Sequence, residues 1–262
     1  MDHKLVKIAR TGYVAKGSVY AIAGVLTLMA SFNLGGQKTG KLQVLQFLDK
    51  QPFGNALLVI LALGLLCYAS WRLFQAISDP EGISANKNGK LKRIAFFASG
   101  CIYIGLAILA ILRVINAGNT GGSSTSSENT SFLASEIGLI VIGIIGAILI
   151  FIGLFQFYKI YKETFWRKFD EKSKMEEKRR KTIKNSAVFG LSSRGILFII
   201  IGYFAVRAAI TSNPSKIKTT TEAFSFLRES AFGAWLMGIV AAGLIGYAIY
   251  MFMTAKYRKF ND

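Results

Sequence analysis

The chain has 262 residues, of which 52% are hydrophobic, 13% aromatic and 18% charged, with a formal net charge of +18. So apolar a composition excludes a water-soluble domain of this length, which would carry more charge and fewer unbroken apolar runs. The basic excess does not imply nucleic acid: 21 of the 32 Lys and Arg fall on one side of the apolar runs instead of forming one basic face.

Six runs are each close to the roughly 20 residues that an α-helix needs to cross about 30 Å of hydrocarbon. They lie near Tyr13–Phe32, Asn55–Ile77, Ile94–Ile115, Ile137–Tyr158, Ala187–Ile210 and Ala231–Met253, with Pro52, Pro80 and Pro214 between them. The pattern predicts an all-α, polytopic membrane protein. The tail before the first span, the stretches Ser78–Arg93 and Lys159–Ser186, and the tail after Met253 hold the 21 basic residues, while the other three loops hold six. The positive-inside rule then places both termini in the cytoplasm. Residues 1–31 are expected to be retained, because no convincing small-x-small site follows their apolar stretch.

In the first hairpin, Lys16 stands about one turn inside its span and is expected to snorkel to the interface along its methylene stem. The segment from Lys41 to Leu48 suits a short helix lying in the interface, and Trp71 with Arg72 an interfacial anchor. In the second hairpin, Ser99-Gly100 stands where Lys16-Gly17 stood. Its outer loop is rich in Gly, Ser, Thr and Asn, and Gly118–Thr130 is expected to be flexible and solvated. Asn129-Thr-Ser131 matches a glycosylation acceptor only formally. After the fourth span the helix is expected to run on, with Tyr158, Tyr161, Phe165, Trp166 and Phe169 recurring among Lys159, Lys162, Arg167 and Lys168. The polybasic cluster Lys178, Arg179, Arg180 and Lys181 follows. Anionic lipid attracts such residues at about 1 kcal/mol each, although topology-fixing bias is the plainer role. In the third hairpin, Arg194-Gly195 matches Lys16-Gly17, and Thr219 with Glu222 has the spacing of a capping box. The last span carries Ala234, Gly238, Ala242 and Gly246 as a small-xxx-small stripe for close helix packing.

These hairpins are copies of one another. Gly54, Gly64, Leu65 and Tyr68 recur as Gly143, Gly153, Leu154 and Phe157, and again as Gly233, Gly243, Leu244 and Tyr247. The first helices share Gly17 with Tyr20, Gly100 with Tyr103, and Gly195 with Phe198. The recurrence gives three units, 1–80, 81–170 and 171–262, the last opening with the basic linker. Each contributes two spans, so all three enter from the same side, which favours pseudo-three-fold symmetry about the membrane normal. The recurring glycines are expected at helix contacts.

The triplicated hairpin, its basic-Gly-x-x-aromatic start and its Gly-Leu-x-x-aromatic end resemble the bacterial membrane family called domain of unknown function 1206, in three tandem copies. The middle copy departs most, with Ser99 in place of the basic residue and Ile142 before Gly143. The resemblance implies an integral inner-membrane protein of unestablished activity and carries over no catalytic residue.

An enzyme is not expected. The single histidine, His3, lies in the tail, and no metal cluster, phosphate loop or Gly-x-Ser-x-Gly is present. No cofactor or metal is implied, and Cys67 and Cys101 suit small-residue packing. The 14 acidic residues lie in tails, in loops or at a span edge, which argues against a cation-coupled pump. Under three-fold symmetry Lys16, Ser99 and Arg194 would face one another around a cytoplasm-facing vestibule able to hold an anion or a lipid headgroup. The expected function is a non-enzymatic module that packs or organises membrane components or lipids, with anionic lipid at the inner leaflet as partner. The alternative is a pore or carrier for a small or anionic solute along the axis.

Overall fold

A backbone in hydrocarbon must satisfy its own polar groups, and this chain does so with helices. The computed structural model describes residues 3–80, 89–116, 136–169, 176–212, 218–229 and 232–259; the loop Gly118–Thr130, with the Asn129 triplet, lies outside them. The helices are α1 (His3–Ser31), α2 (Lys41–Asp49), α3 (Gly54–Ile77), α4 (Gly89–Asn116), α5 (Glu136–Tyr161), α6 (Glu177–Ile210), α7 (Thr220–Arg228) and α8 (Gly233–Tyr257). All but α2 and α7 are long and apolar enough to span a membrane. The two most hydropathic spans, α4 and α5, are the least buried, and the least hydropathic, α1, is the most buried. Such an inverted order suits a bundle whose surroundings are as apolar as its interior.

The second helix of each repeat packs most extensively on the first helix of the next: α3 on α4, α5 on α6, and α8 back on α1. Within repeats, α1 meets α3 and α6 meets α8, but α4 barely touches α5 among the described residues. The cyclic order is therefore complete except for one slot in the middle repeat.

Glycines set these contacts. A Cβ on Gly12 would overlap the backbone of Tyr68, and one on Gly190 the backbone of Tyr247, the same contact in repeats one and three. Gly64 faces Ala15 and Gly243 faces Ser193, within their own hairpins, whereas Gly143 and Gly153 face Ala209 and Ile199 of α6. Gly54 and Gly233 do not pack between spans; they abut the last turns of α2 and α7, in the tight turns that start the second spans. The small-residue stripe on α8 is divided. Gly238 packs against Ser31 and Phe32 and Gly246 against Phe189, while Ala234 and Ala242 stay exposed.

Two expectations are corrected by packing. The helix over Lys41–Asp49 forms, but Val44, Leu45 and Leu48 are buried in the bundle instead of facing lipid headgroups. The fourth span ends at Tyr161, because Glu163 takes a left-handed conformation (φ 48°) and a short 3-10 turn follows at Thr164–Lys168. Phe165 and Phe169 then turn inward and are buried, while Tyr158 and Tyr161 remain outside with Lys159 and Lys162 beside them.

Candidate functional site: buried cations around four tyrosines

The first helices α1, α4 and α6 face the axis, and their middle turns carry aromatic and basic side chains towards it. Lys16 lies near the midpoint of α1 and is only 4% exposed, so it does not snorkel. Its Nζ donates to the Tyr68 hydroxyl at 2.8 Å and stands 4.5 Å from the Tyr68 ring centre, 5.2 Å from Tyr103 and 5.7 Å from Tyr247. Arg194, near the midpoint of α6, places its guanidinium 4.2 Å from the Tyr247 ring and 5.4 Å from Tyr20. The tyrosines pair edge to face, Tyr20 with Tyr247 at 4.8 Å and Tyr68 with Tyr103 at 4.6 Å. A ring face attracts a cation by about 0.5–2 kcal/mol, more as water is removed.

Two further cations, missed in the sequence, join them. Arg72 donates through Nε to the same Tyr68 hydroxyl at 2.7 Å and through Nη1 to Gln75 at 2.9 Å. Lys41 reaches in from the opposite end, 5.0 Å from the Tyr103 ring and 5.8 Å from Tyr20. It can do so because the preceding loop re-enters the bundle. Asn33, Gly35 and Gly36 take positive φ values of 57°, 81° and 77° and reverse the chain, and Thr39 then donates its buried N–H to Thr27 of α1 at 3.0 Å. Thr27 lies a turn before the end of α1, so α2 starts about 6 Å below it. The start of α7 meets the start of α2: a Cβ on Gly40 would lie 3.2 Å from Thr220. Glu222 accepts from the Thr219 N–H at 2.6 Å, as the capping-box spacing implied. Lys41 carried one signal in the sequence, as a cation beginning an amphipathic outer helix. Arg72 carried none beyond its place near a span end.

A cavity of about 410 Å³ adjoins this cluster on the side of Lys41 and Arg194. Lys41, Arg194 and Tyr20 line it, with Thr39, Gly40, Thr219 and Thr220 at the two helix starts. Its wall along α4 is apolar. Among the described residues, none of Lys16, Lys41, Arg72 and Arg194 has a carboxylate partner, and the Nε of Arg194 is buried with no hydrogen-bond partner.

The end of the bundle opposite α2 and α7 holds a second cation–aromatic cluster. Arg258 is buried, donates to the Tyr13 hydroxyl and lies over the Tyr13 and Trp71 rings; Trp71 Nε1 also donates to Tyr13, at 3.3 Å. Phe169 forms an antiparallel backbone bridge with Arg258. The structure thus brings Lys16 and Arg194 to the same ring, that of Tyr247. Ser99 is half-buried on α4 and does not line the cavity. In the polybasic cluster Lys178, Arg180 and Lys181 are exposed, while Arg179 lies 4.4 Å from the Tyr257 ring. Of the other basic residues inside the predicted spans, Arg113 pairs with Asp49 at 3.7 Å and Arg207 is exposed. Among the described residues no group of His, Cys, Asp and Glu is placed to hold a metal.

The family described as Domain of Unknown Function (DUF1206) matches at residues 11–79, 94–162 and 189–258. The chain belongs to this DUF1206 family. Each match takes in one hairpin, so the triplication in the sequence and the cyclic helix order are the same repeat. An uncharacterized protein YxxB of Bacillus subtilis (strain 168) is 32% identical over 252 residues, covering 96% of this chain and 90% of that protein. No solved structure matches. Neither DUF1206 nor YxxB brings an activity with it. Within the DUF1206 copies, the aromatic residues of the first helices, Tyr20, Tyr103 and Phe198, all face the axial region, but Phe157, the middle counterpart of Tyr68 and Tyr247, lies outside against Gly195.

Proposed function

We propose that this protein is a non-enzymatic, multi-pass module of the bacterial inner membrane, with both termini cytoplasmic, that holds an anionic group inside its helix bundle and thereby packs or organises membrane components. One observation supports this reading above the others: Lys16, Lys41, Arg72 and Arg194 gather around four buried tyrosines without a carboxylate among the described residues. A cation near the middle of a bilayer costs about 2.5–3.5 kcal/mol on insertion scales, and gathering several raises that cost unless an anion offsets it. Lys16 and Arg194 are the proposed central contacts, with Ser99 at the periphery. The exposed Lys178, Arg180 and Lys181 are proposed to meet anionic headgroups at the inner leaflet.

Thermal unfolding of the purified protein in neutral detergent tests the anion reading. Inorganic phosphate is expected to raise the midpoint above that in chloride at matched ionic strength, and Arg194→Gln to remove the rise. Equal midpoints in both anions would dispose of it.

A carrier for a small anion is the second reading. It is favoured by the order of the cations along the axis: Lys41 and Lys16 share the Tyr103 ring, Lys16 and Arg72 share Tyr68, and Tyr68 touches Tyr13, which holds Arg258. Flux of phosphate or chloride into proteoliposomes separates the two readings, since a static module gives none.

A further inference from the structure

The cavity has two unlike ends, and the difference bears on what it holds. At one end stand Lys41 and Arg194; among the described residues no hydrogen bond is made by the Lys41 Nζ, and the Nε of Arg194 is buried and unpartnered. The starts of α2 and α7, each nine residues long, meet there. The N-terminus of a helix presents free amide N–H groups and about half a positive charge, so the start of α2 beside two cations favours an oxyanion; at the start of α7 the Glu222 carboxylate already accepts the Thr219 N–H. Gly40 has no side chain to occupy its own helix start, its N–H is taken by Gln43 at 3.1 Å, and Gly40 to Gln43 line the cavity.

The other end is hydrocarbon. Ile102 and Leu109 of α4 line the cavity and are 58% and 43% exposed. Gly105, between them, lines it too, and a Cβ there would meet nothing within 4 Å. Phe198 and Ile201 of α6 form the facing wall. No residue of α5 lines the cavity, and among the described residues α5 makes little contact with α4. A water-soluble anion has no use for such an exit, whereas about 410 Å³ with an apolar side opening fits a headgroup whose chains remain in the bilayer.

Resting on the anion reading above, we infer that this cavity takes the phosphodiester of an anionic phospholipid from the leaflet that α2 and α7 face, its acyl chains leaving between α4 and the facing wall of α6. Lys41, Arg194 and the start of α2 hold the phosphate; Gly105 keeps the exit open.

Lipid binding to the delipidated protein in neutral detergent, followed by native mass spectrometry, tests it with three probes: phosphatidylglycerol, phosphatidylcholine and inorganic phosphate. Phosphatidylglycerol is expected to bind about tenfold more tightly than phosphatidylcholine, and Lys41→Gln or Arg194→Gln to weaken it about tenfold, the loss expected for one charge-assisted hydrogen bond. Gly105→Trp fills the exit from an open position, and is expected to abolish phosphatidylglycerol binding while leaving inorganic phosphate binding intact. Should phosphate bind and phosphatidylglycerol not, or should phosphatidylglycerol ignore Gly105→Trp, the lipid inference falls and the anion reading stands. Should neither probe bind, both fall. If Arg194→Gln does not yield folded protein, the Lys41→Gln and Gly105→Trp arms decide the outcome.

Discussion

Lys16 reaches from α1 to donate a 2.8 Å hydrogen bond to the hydroxyl of Tyr68 on α3, an oxygen that also accepts from Arg72 at 2.7 Å. One hydroxyl oxygen thus serves a buried and a half-buried cation. Tyr68→Phe removes it and leaves both donors with fewer partners, at an expected cost of about 1–3 kcal/mol. Lys16→Met on the same background is expected to recover part of that loss, since it removes a buried charge that no carboxylate balances. Unfolding of the two single variants and the double variant in mixed detergent gives the coupling; strictly additive losses would mean that the bond contributes nothing to the fold.

The glycines divide into those that carry helix contacts and those that do not. Gly12→Ala and Gly190→Ala push a methyl into the backbones of Tyr68 and Tyr247, and each is expected to destabilise the bundle by about 1–3 kcal/mol. Gly105→Ala, which meets open space, is expected to be neutral or to stabilise α4 by up to about 1 kcal/mol through helix propensity. Equal melting of all three variants would show that these close approaches are not the ones holding the helices together.

At the end opposite α2 and α7, Arg258 bonds Tyr13 and covers the ring of Trp71, which is 2% exposed. Arg258→Ala is expected to cost about 1–2 kcal/mol, from a lost hydrogen bond and cation–ring contact, and to admit water to the indole. In a Trp166→Phe, Trp235→Phe background the emission of Trp71 reports this directly. A red shift is expected; an unchanged spectrum would place the seal elsewhere.

Sidedness follows from the charge asymmetry. In a Cys67→Ser, Cys101→Ser background, a membrane-impermeant maleimide is expected to label Leu34→Cys in intact spheroplasts and Lys181→Cys only after lysis; both positions are exposed in the structure. The reverse pattern would invert the protein in the membrane.

The spans were legible because their signal is long and local: some 20 apolar residues need no tertiary knowledge to recognise. The repeat was legible for a related reason. Gly12 and Gly190 meet Tyr68 and Tyr247 by the same contact, and a contact used twice leaves the same residues twice. The cation cluster was only half legible. Lys16 and Arg194 stood out as ionisable residues inside spans, but the sequence placed Lys16 one turn from an interface, where a long side chain escapes to water. Its burial depends on Tyr68 being opposite, and that is a property of packing between helices. Lys41 was hidden by the loop that carries it, since nothing local says that Asn33, Gly35 and Gly36 turn the chain back into the bundle. Phe165 and Phe169 were misplaced for a similar reason: their helical spacing suited a continued helix, whereas Glu163 ends it and sends both rings inward.

The contact between α1 and α8 joins the first of the six spans to the last. During synthesis the earliest helix therefore waits for its neighbour until the sixth has left the ribosome and entered the bilayer. Until then Gly17 and Gly24, whose partners are Phe252, Ala241 and Ile245, face only lipid. A chain cut short before α8 therefore loses the last repeat's second helix and leaves the first repeat uncovered as well.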